Sequence, residues 1–119
     1  MKTANIKEIR TALESLEKEE LINICQRLAK FKKENKELIT YLLYESADER
    51  SYVNAVKDII DENLSQINTS SLFFVKKSLR KIIRTTGKFI RYSDVPTTEV
   101  ELWMHVCQSF TQLGVDWQK

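Results

Sequence analysis

The chain has 119 residues, 42% of them hydrophobic and 30% charged, with a formal net charge of +2. This length predicts one helical domain over residues 1–119, long enough to bury a core of its own. Only Gly87, Gly114 and Pro96 supply the residues that usually break helices and build turns. An all-β fold of this size needs a turn about every 8 to 12 residues, so the composition excludes that class.

The number of cysteines and the length of the apolar stretches indicate where in the cell the protein is expected. Cys25 and Cys107 are too few for a disulfide framework, and the N-terminus lacks the apolar run of a signal peptide. The longest apolar runs are far shorter than the roughly 20 residues that a membrane-spanning helix needs. We therefore expect a reduced, cytoplasmic protein without a membrane segment.

Apolar residues at three- and four-residue spacing predict two helices in the first third of the chain. The first covers residues 6–16 with Thr3 or Asn5 as its cap, and the second begins near Glu17 and ends near residue 31. Cys25 lies in the apolar face of the second helix, where it is expected to be a small buried hydrophobe. The polar run KKENK, residues 32–36, predicts the next turn.

The middle of the chain predicts a third and a fourth helix. The third carries Tyr41 and Tyr44 at its margins, where their hydroxyls can reach water or a partner. Asp48 is the expected N-cap of the fourth. The buried face of the fourth helix is expected to comprise Tyr52, Val53, Val56, Ile59, Ile60, Leu64 and Ile67.

Residues 72–91, LFFVKKSLRKIIRTTGKFIR, predict the central helix. On a 3.6-residue helix its apolar side chains share a sector roughly 120° wide, namely Leu72, Val75, Leu79, Ile82, Ile83, Thr86, Phe89 and Ile90. Its cations share a sector on the opposite side, and they are Lys77, Arg80, Lys81, Arg84, Lys88 and Arg91. The apolar phase continues past Gly87, which favours a continuous or slightly kinked helix ending near Tyr92.

The last helix follows the loop SDVPT. Thr98 and Glu101 have the spacing of a capping box, which predicts a helix from there to about residue 113, ended by Gly114. Residues 114–119 are expected to form a tail that packs back on the body or projects from it. The chain as a whole therefore predicts an all-α fold of five or six antiparallel amphipathic helices. Short loops suit either an irregular bundle or a short HEAT/armadillo-like α-α superhelix.

Three segments resemble a family of small, uncharacterised bacterial proteins. They are KENKELITYLLYESADE at residues 33–49, KKSLRKIIRTTGKFIRYSD at residues 76–94 and EVELWMHVCQSF at residues 99–110. The resemblance implies an all-helical intracellular protein. It assigns no activity, cofactor or catalytic residue to any position here.

The sequence contains no catalytic, cofactor or metal motif. His105 is the only histidine and lies two positions from Cys107, on a different helix face, so we expect a surface or boundary residue rather than a zinc ligand. Two widely spaced glycines exclude a P-loop or a dinucleotide-binding turn. No nucleophile elbow accompanies the serines. The sequence therefore predicts a protein that is not an enzyme.

Charge is distributed unevenly, because residues 67–93 contain seven Lys and Arg and no acid. Asp58, Asp61 and Glu62 could pair with this basic region inside the fold, or the cations could simply be solvated. Otherwise the region binds a protein with an acidic surface, or it binds nucleic acid with Tyr92 stacking on a base. We predict protein–protein contact, with nucleic acid binding as the alternative. The candidate partner-binding residues are Lys77, Arg80, Lys81, Arg84, Lys88, Arg91 and Tyr92. The sequence identifies neither the partner nor the oligomeric state.

Overall fold

The computed structural model describes residues 1–113. It confirms the all-α class, because these residues form six α-helices and no strand. The helices are α1 Ile6–Glu14, α2 Lys18–Phe31, α3 Lys33–Thr40, α4 Glu49–Ser65, α5 Leu72–Ser93 and α6 Pro96–Thr111. A π-helical turn, Tyr41–Glu45, follows α3. The expectations for Gly114 and the tail at 114–119 lie outside the described residues.

Local side-chain caps define several helix starts, as the sequence predicted. The Asn5 side chain accepts a hydrogen bond from the Glu8 backbone N at 2.8 Å, and Asp48 accepts one from the Ser51 backbone N at 3.2 Å. The turn predicted at residues 32–36 is wrong. Only Lys32 leaves the helical conformation there, with φ −143° and ψ 146°, and α3 begins at the next residue.

The chain divides into two compact units, residues 1–39 and 40–119. None of α1, α2 and α3 contributes a buried residue. The prediction that Cys25 is buried is therefore wrong, because its side chain is exposed. The large apolar side chains that the first three helices expose are Ile6, Ile9, Ile22, Ile24, Leu28, Phe31 and Leu38.

The core lies in the second unit, where α4, α5 and α6 pack together with the π-helical turn. Its buried apolar residues are Tyr41, Tyr52, Val53, Val56, Ile60, Val75, Leu79, Ile82, Ile90, Tyr92, Leu102 and Val106. Tyr41 was expected at a helix margin with its hydroxyl reaching water or a partner. It is buried in the core instead, and its hydroxyl donates to the Glu49 carboxylate.

Contacts between the helices show how they run. The Tyr52 hydroxyl, near the start of α4, donates to the Phe89 carbonyl, near the end of α5, at 2.7 Å. Arg50 and Asp61 of α4 bind Glu101 and His105 of α6 in the same order along both helices. α5 therefore runs antiparallel to α4, and α6 runs parallel to α4. The second unit is an up-down-up three-helix bundle.

The central helix α5 is continuous through Gly87 and ends at Ser93, where Asp94 adopts a left-handed conformation with φ 56°. A Cβ built on Gly87 would lie 3.8 Å from the Trp103 ring of α6 and 3.7 Å from the Arg91 guanidinium. Both distances are ordinary van der Waals contacts. The position has room for a methyl group, so the glycine is not required by close packing.

We expect Gly87→Ala to raise the free energy of unfolding by about 0.5–1 kcal/mol. A helix is more stable by about that amount with alanine at an interior position than with glycine. Urea titration followed by circular dichroism measures the change. Gly87→Val is the control, because its β-branched side chain adds two methyl groups towards Trp103 and should lose the gain. Equal stabilisation by both variants would contradict this account of the packing.

Candidate partner-binding surface

The cations predicted to share one side of α5 lie mainly on the surface. The exposed members are Lys77, Arg80, Lys81, Arg84 and Arg91. Lys88 is half-buried, with its ammonium 5.4 Å from the centre of the Phe89 ring, within reach of a cation–π contact. The opposite side of the helix is buried through Val75, Leu79 and Ile82. The basic row therefore faces outward because the apolar stripe of the same helix faces the core.

The acids of α4 do not neutralise this row. Asp61 Oδ1 lies 2.7 Å from His105 Nε2 of α6, so the pairing predicted between Asp61 and the basic helix is not formed. Within residues 1–113, none of the five exposed cations of α5 forms an ion pair. The row is thus positive charge in contact with solvent.

A compact group of charges joins α4 to α6 instead. The Arg50 guanidinium donates to both carboxylate oxygens of Glu101 at 2.6 Å, and the Lys57 ammonium lies 2.7 Å from one of them. The hydrogen bonds from Arg50, which have the largest effect, and from Lys57 lower the pKa of Glu101 to about 2.

The capping box predicted for Thr98 and Glu101 is wrong, because α6 begins earlier, at Pro96.

An apolar groove adjoins the basic row. It is shallow and open, with a volume of about 550 Å³, and its lining residues are Lys76, Leu79, Arg80, Ile83, Phe110 and Thr111. Ile83 was predicted to belong to the core stripe, yet it is 43% exposed because it lies at the edge of that stripe. The surface therefore combines cations with apolar side chains.

Tyr92, the aromatic member of the predicted site, is not part of this surface. It is 9% exposed and belongs to the core, with its ring packed edge-on against Phe89 at 6.0 Å between centroids. Because Tyr92 ends the apolar stripe of α5, its ring turns inward. The prediction that it stacks on a nucleic acid base is therefore wrong for this conformation.

A second polar arrangement, which the sequence did not predict, is centred on Glu49 at the first position of α4. Its carboxylate accepts hydrogen bonds from the hydroxyls of Tyr41 at 2.7 Å, Thr98 at 2.5 Å and Ser93. The donors come from the π-helical turn, the start of α6 and the end of α5. No local motif signals this cluster, because its donors lie up to 49 residues from Glu49 in the chain.

Hydrogen bonding keeps the Glu49 carboxylate charged although it is partly buried. Burial raises the pKa of Glu49, but the hydrogen bonds from Ser93, Thr98 and Tyr41 together outweigh burial and hold the pKa below its usual value. The positive end of the α4 dipole also favours an anion at the first helical position. The cluster joins α4 to the π-helical turn, the end of α5 and the start of α6, and it contains no nucleophile–base pair.

Other candidate chemistry is limited. In the part of the chain that the structure describes, no three His, Cys, Asp or Glu side chains are grouped so as to hold a metal ion. His105 is half-buried at the boundary between α4 and α6, as the sequence suggested. No helix within residues 1–113 is long and apolar enough to cross a membrane.

Comparison with protein-family models, curated proteins and solved structures finds no match to this chain. The resemblance of residues 33–49, 76–94 and 99–110 to small bacterial proteins therefore stays a prediction.

We expect Glu49→Gln to lower the free energy of unfolding by about 1–2 kcal/mol at pH 7, because three hydroxyls lose a charged acceptor. The folded pKa of Glu49 lies below the unfolded one. Its ionised form therefore stabilises the fold above the ordinary glutamate pKa of 4.5, and this stabilisation is lost as pH falls through the folded value.

Urea titrations at pH 7 and pH 3 test this expectation, and the difference between wild type and Glu49→Gln should shrink at the lower pH. Glu62→Gln, at an exposed position of the same helix, is the control and should change stability by less than about 0.5 kcal/mol. A difference that is the same at both pH values would show that the charge of Glu49 is not the cause.

Proposed function

We propose that this protein is a non-enzymatic helical interaction module that binds an acidic protein surface through the basic face of α5. The observation that carries the proposal is the row of five exposed cations without an ion-pair partner in residues 1–113. A three-helix bundle holds this row on a rigid element. We also propose that the protein is cytoplasmic, because its two cysteines are too few for a disulfide framework.

Apolar chemistry beside the row favours a protein partner. Ile83 and Phe110 offer a contact that phosphate groups cannot use. Arg80 lines the groove and also lies beside Lys77 and Arg84. Arginine also forms bidentate hydrogen bonds with carboxylates and is common among the residues that dominate binding energy at interfaces. A helix with one apolar and one acidic side would match this surface in both respects.

Nucleic acid binding is the alternative. Five exposed cations between Lys77 and Arg91 extend along about 21 Å of helix, at 1.5 Å per residue, which is enough to meet several phosphates. The burial of Tyr92 removes the stacking platform that this alternative used. The modest net charge of +2 is also below what a dedicated nucleic-acid-binding domain carries.

Fluorescence anisotropy with labelled probes tests the proposal. One acidic peptide has leucine and glutamate at helical spacing, and a second has the same composition in scrambled order. Single- and double-stranded oligonucleotides test the alternative at low and physiological salt. We expect the ordered peptide to bind better than the scrambled one. The variant Lys77→Glu, Arg80→Glu, Arg84→Glu should lose about tenfold or more in affinity. Each exposed ion pair contributes about 0.2–1 kcal/mol, and reversing the charge also replaces each attraction by a repulsion.

The control variant Lys2→Glu, Lys7→Glu, Lys30→Glu makes the same charge change in the first unit, at exposed positions, and should bind the peptide like wild type. Circular dichroism checks that both variants are folded. Equal binding of the two peptides, or equal loss in the two variants, would overturn the proposal. Saturable, salt-sensitive binding of oligonucleotides but not of peptides would establish the alternative.

A further inference from the structure

Part of the basic row of α5 borders the apolar groove. Arg80 and Ile83 line that groove, and together with Lys77 and Arg84 they also line a second open depression on α5. Lys77, Arg80 and Arg84 are separated by three and four residues, so they lie on one side of the helix and span about 10.5 Å along its axis. Three exposed cations therefore follow the groove where α5 borders it.

The other helix that lines the groove, α6, contributes neither a lysine or arginine nor a carboxylate there. Its groove-lining residues are Phe110 and Thr111. Residues 102–113 contain no Lys, Arg, Asp or Glu, and the one histidine among them, His105, lies beside Asp61 of α4. The groove thus has cations on its α5 side only. A complementary surface has an apolar stripe with carboxylates along one edge of that stripe.

The surface around the groove is built from two helices, which restricts the form of the partner. No strand occurs within residues 1–113, so the groove offers no strand edge with which an extended segment could pair. The backbone N–H and C=O groups of such a segment would face apolar side chains without a hydrogen-bond partner. A helix satisfies its own backbone groups and packs its side chains between those of two neighbouring helices. A helix in this groove would be the fourth helix of a bundle.

We propose that the partner's binding element is an amphipathic helix that packs lengthwise in the groove between α5 and α6. Its apolar side chains contact Ile83 and Phe110. Its carboxylates lie along the edge that faces α5 and pair with Lys77, Arg80 and Arg84. This inference rests on the proposed function and specifies the partner further, because it assigns binding to three of the five exposed cations and places the apolar contact in the groove.

Three peptides test the form of the partner, in fluorescence anisotropy titrations with the full chain at physiological salt. The first has glutamates along one edge of a leucine stripe, and the second has the same composition with the glutamates opposite the leucines. The third is the first with a central proline, which breaks the helix. We expect the first to bind about tenfold or more tightly than the other two. Equal binding of the first two would overturn the proposal, and equal binding of the proline peptide would show that an extended segment occupies the groove.

A pair of variants at the end of α6 tests the groove without changing the basic row. Thr111→Glu and Gln112→Glu each add a carboxylate at an exposed position, and only Thr111 lines the groove. Thr111→Glu should weaken binding of the first peptide about tenfold, because it places a charge against leucine side chains. Gln112→Glu is the control and should bind within about twofold of wild type. Circular dichroism checks that both variants are folded.

Adjacent cations of α5 test which part of the row is used. Arg80→Glu and Lys81→Glu make the same charge change, but Lys81 is about 100° away around the helix and lines neither depression. Arg80→Glu should weaken binding about two- to thirtyfold and Lys81→Glu less than about twofold, since exposed charges are screened beyond about 8 Å at this salt concentration. Equal loss in both variants would show that the row acts as a whole and would overturn the assignment.

The outcomes separate this inference from the function on which it rests. If the variant Lys77→Glu, Arg80→Glu, Arg84→Glu loses peptide binding while Thr111→Glu binds like wild type, the basic row binds an acidic partner and the groove does not take part. That result would overturn the inference and leave the proposed function standing. If none of the peptides binds the wild type, both are wrong.

Discussion

Burial of one side of α5 between α4 and α6 is the interaction on which the rest of the second unit depends. The helix has 22 residues, and its buried residues recur along nearly its whole length. Thr86 is buried among them, and its hydroxyl donates to the Ile82 carbonyl at 2.8 Å, so the polar group costs little. Since a single helix cannot bury its whole circumference in a three-helix bundle, the opposite side of α5 must meet solvent.

The charged side chains of α4 and α6 form ion pairs with one another rather than with α5. The carboxylate of Glu101 is occupied by Arg50 and Lys57, and Asp61 is occupied by His105. All of these contacts join α4 to α6. The hydroxyls around Glu49 join the same two helices to the end of α5 without using a cation. None of these contacts uses the five exposed cations of α5, and those cations form no ion pair within residues 1–113.

Helix periodicity predicted the fold class and most helix positions, because the apolar repeat of an amphipathic helix is a local property. Periodicity could not tell which apolar stripes become buried, so Cys25 was predicted to be buried although α2 contains no buried residue. Thr98 looked like a cap because its spacing to Glu101 is local. Its hydroxyl instead binds a carboxylate 49 residues away. Whether Asp61 pairs with the basic helix likewise depended on a long-range contact, with His105, that spacing alone does not reveal.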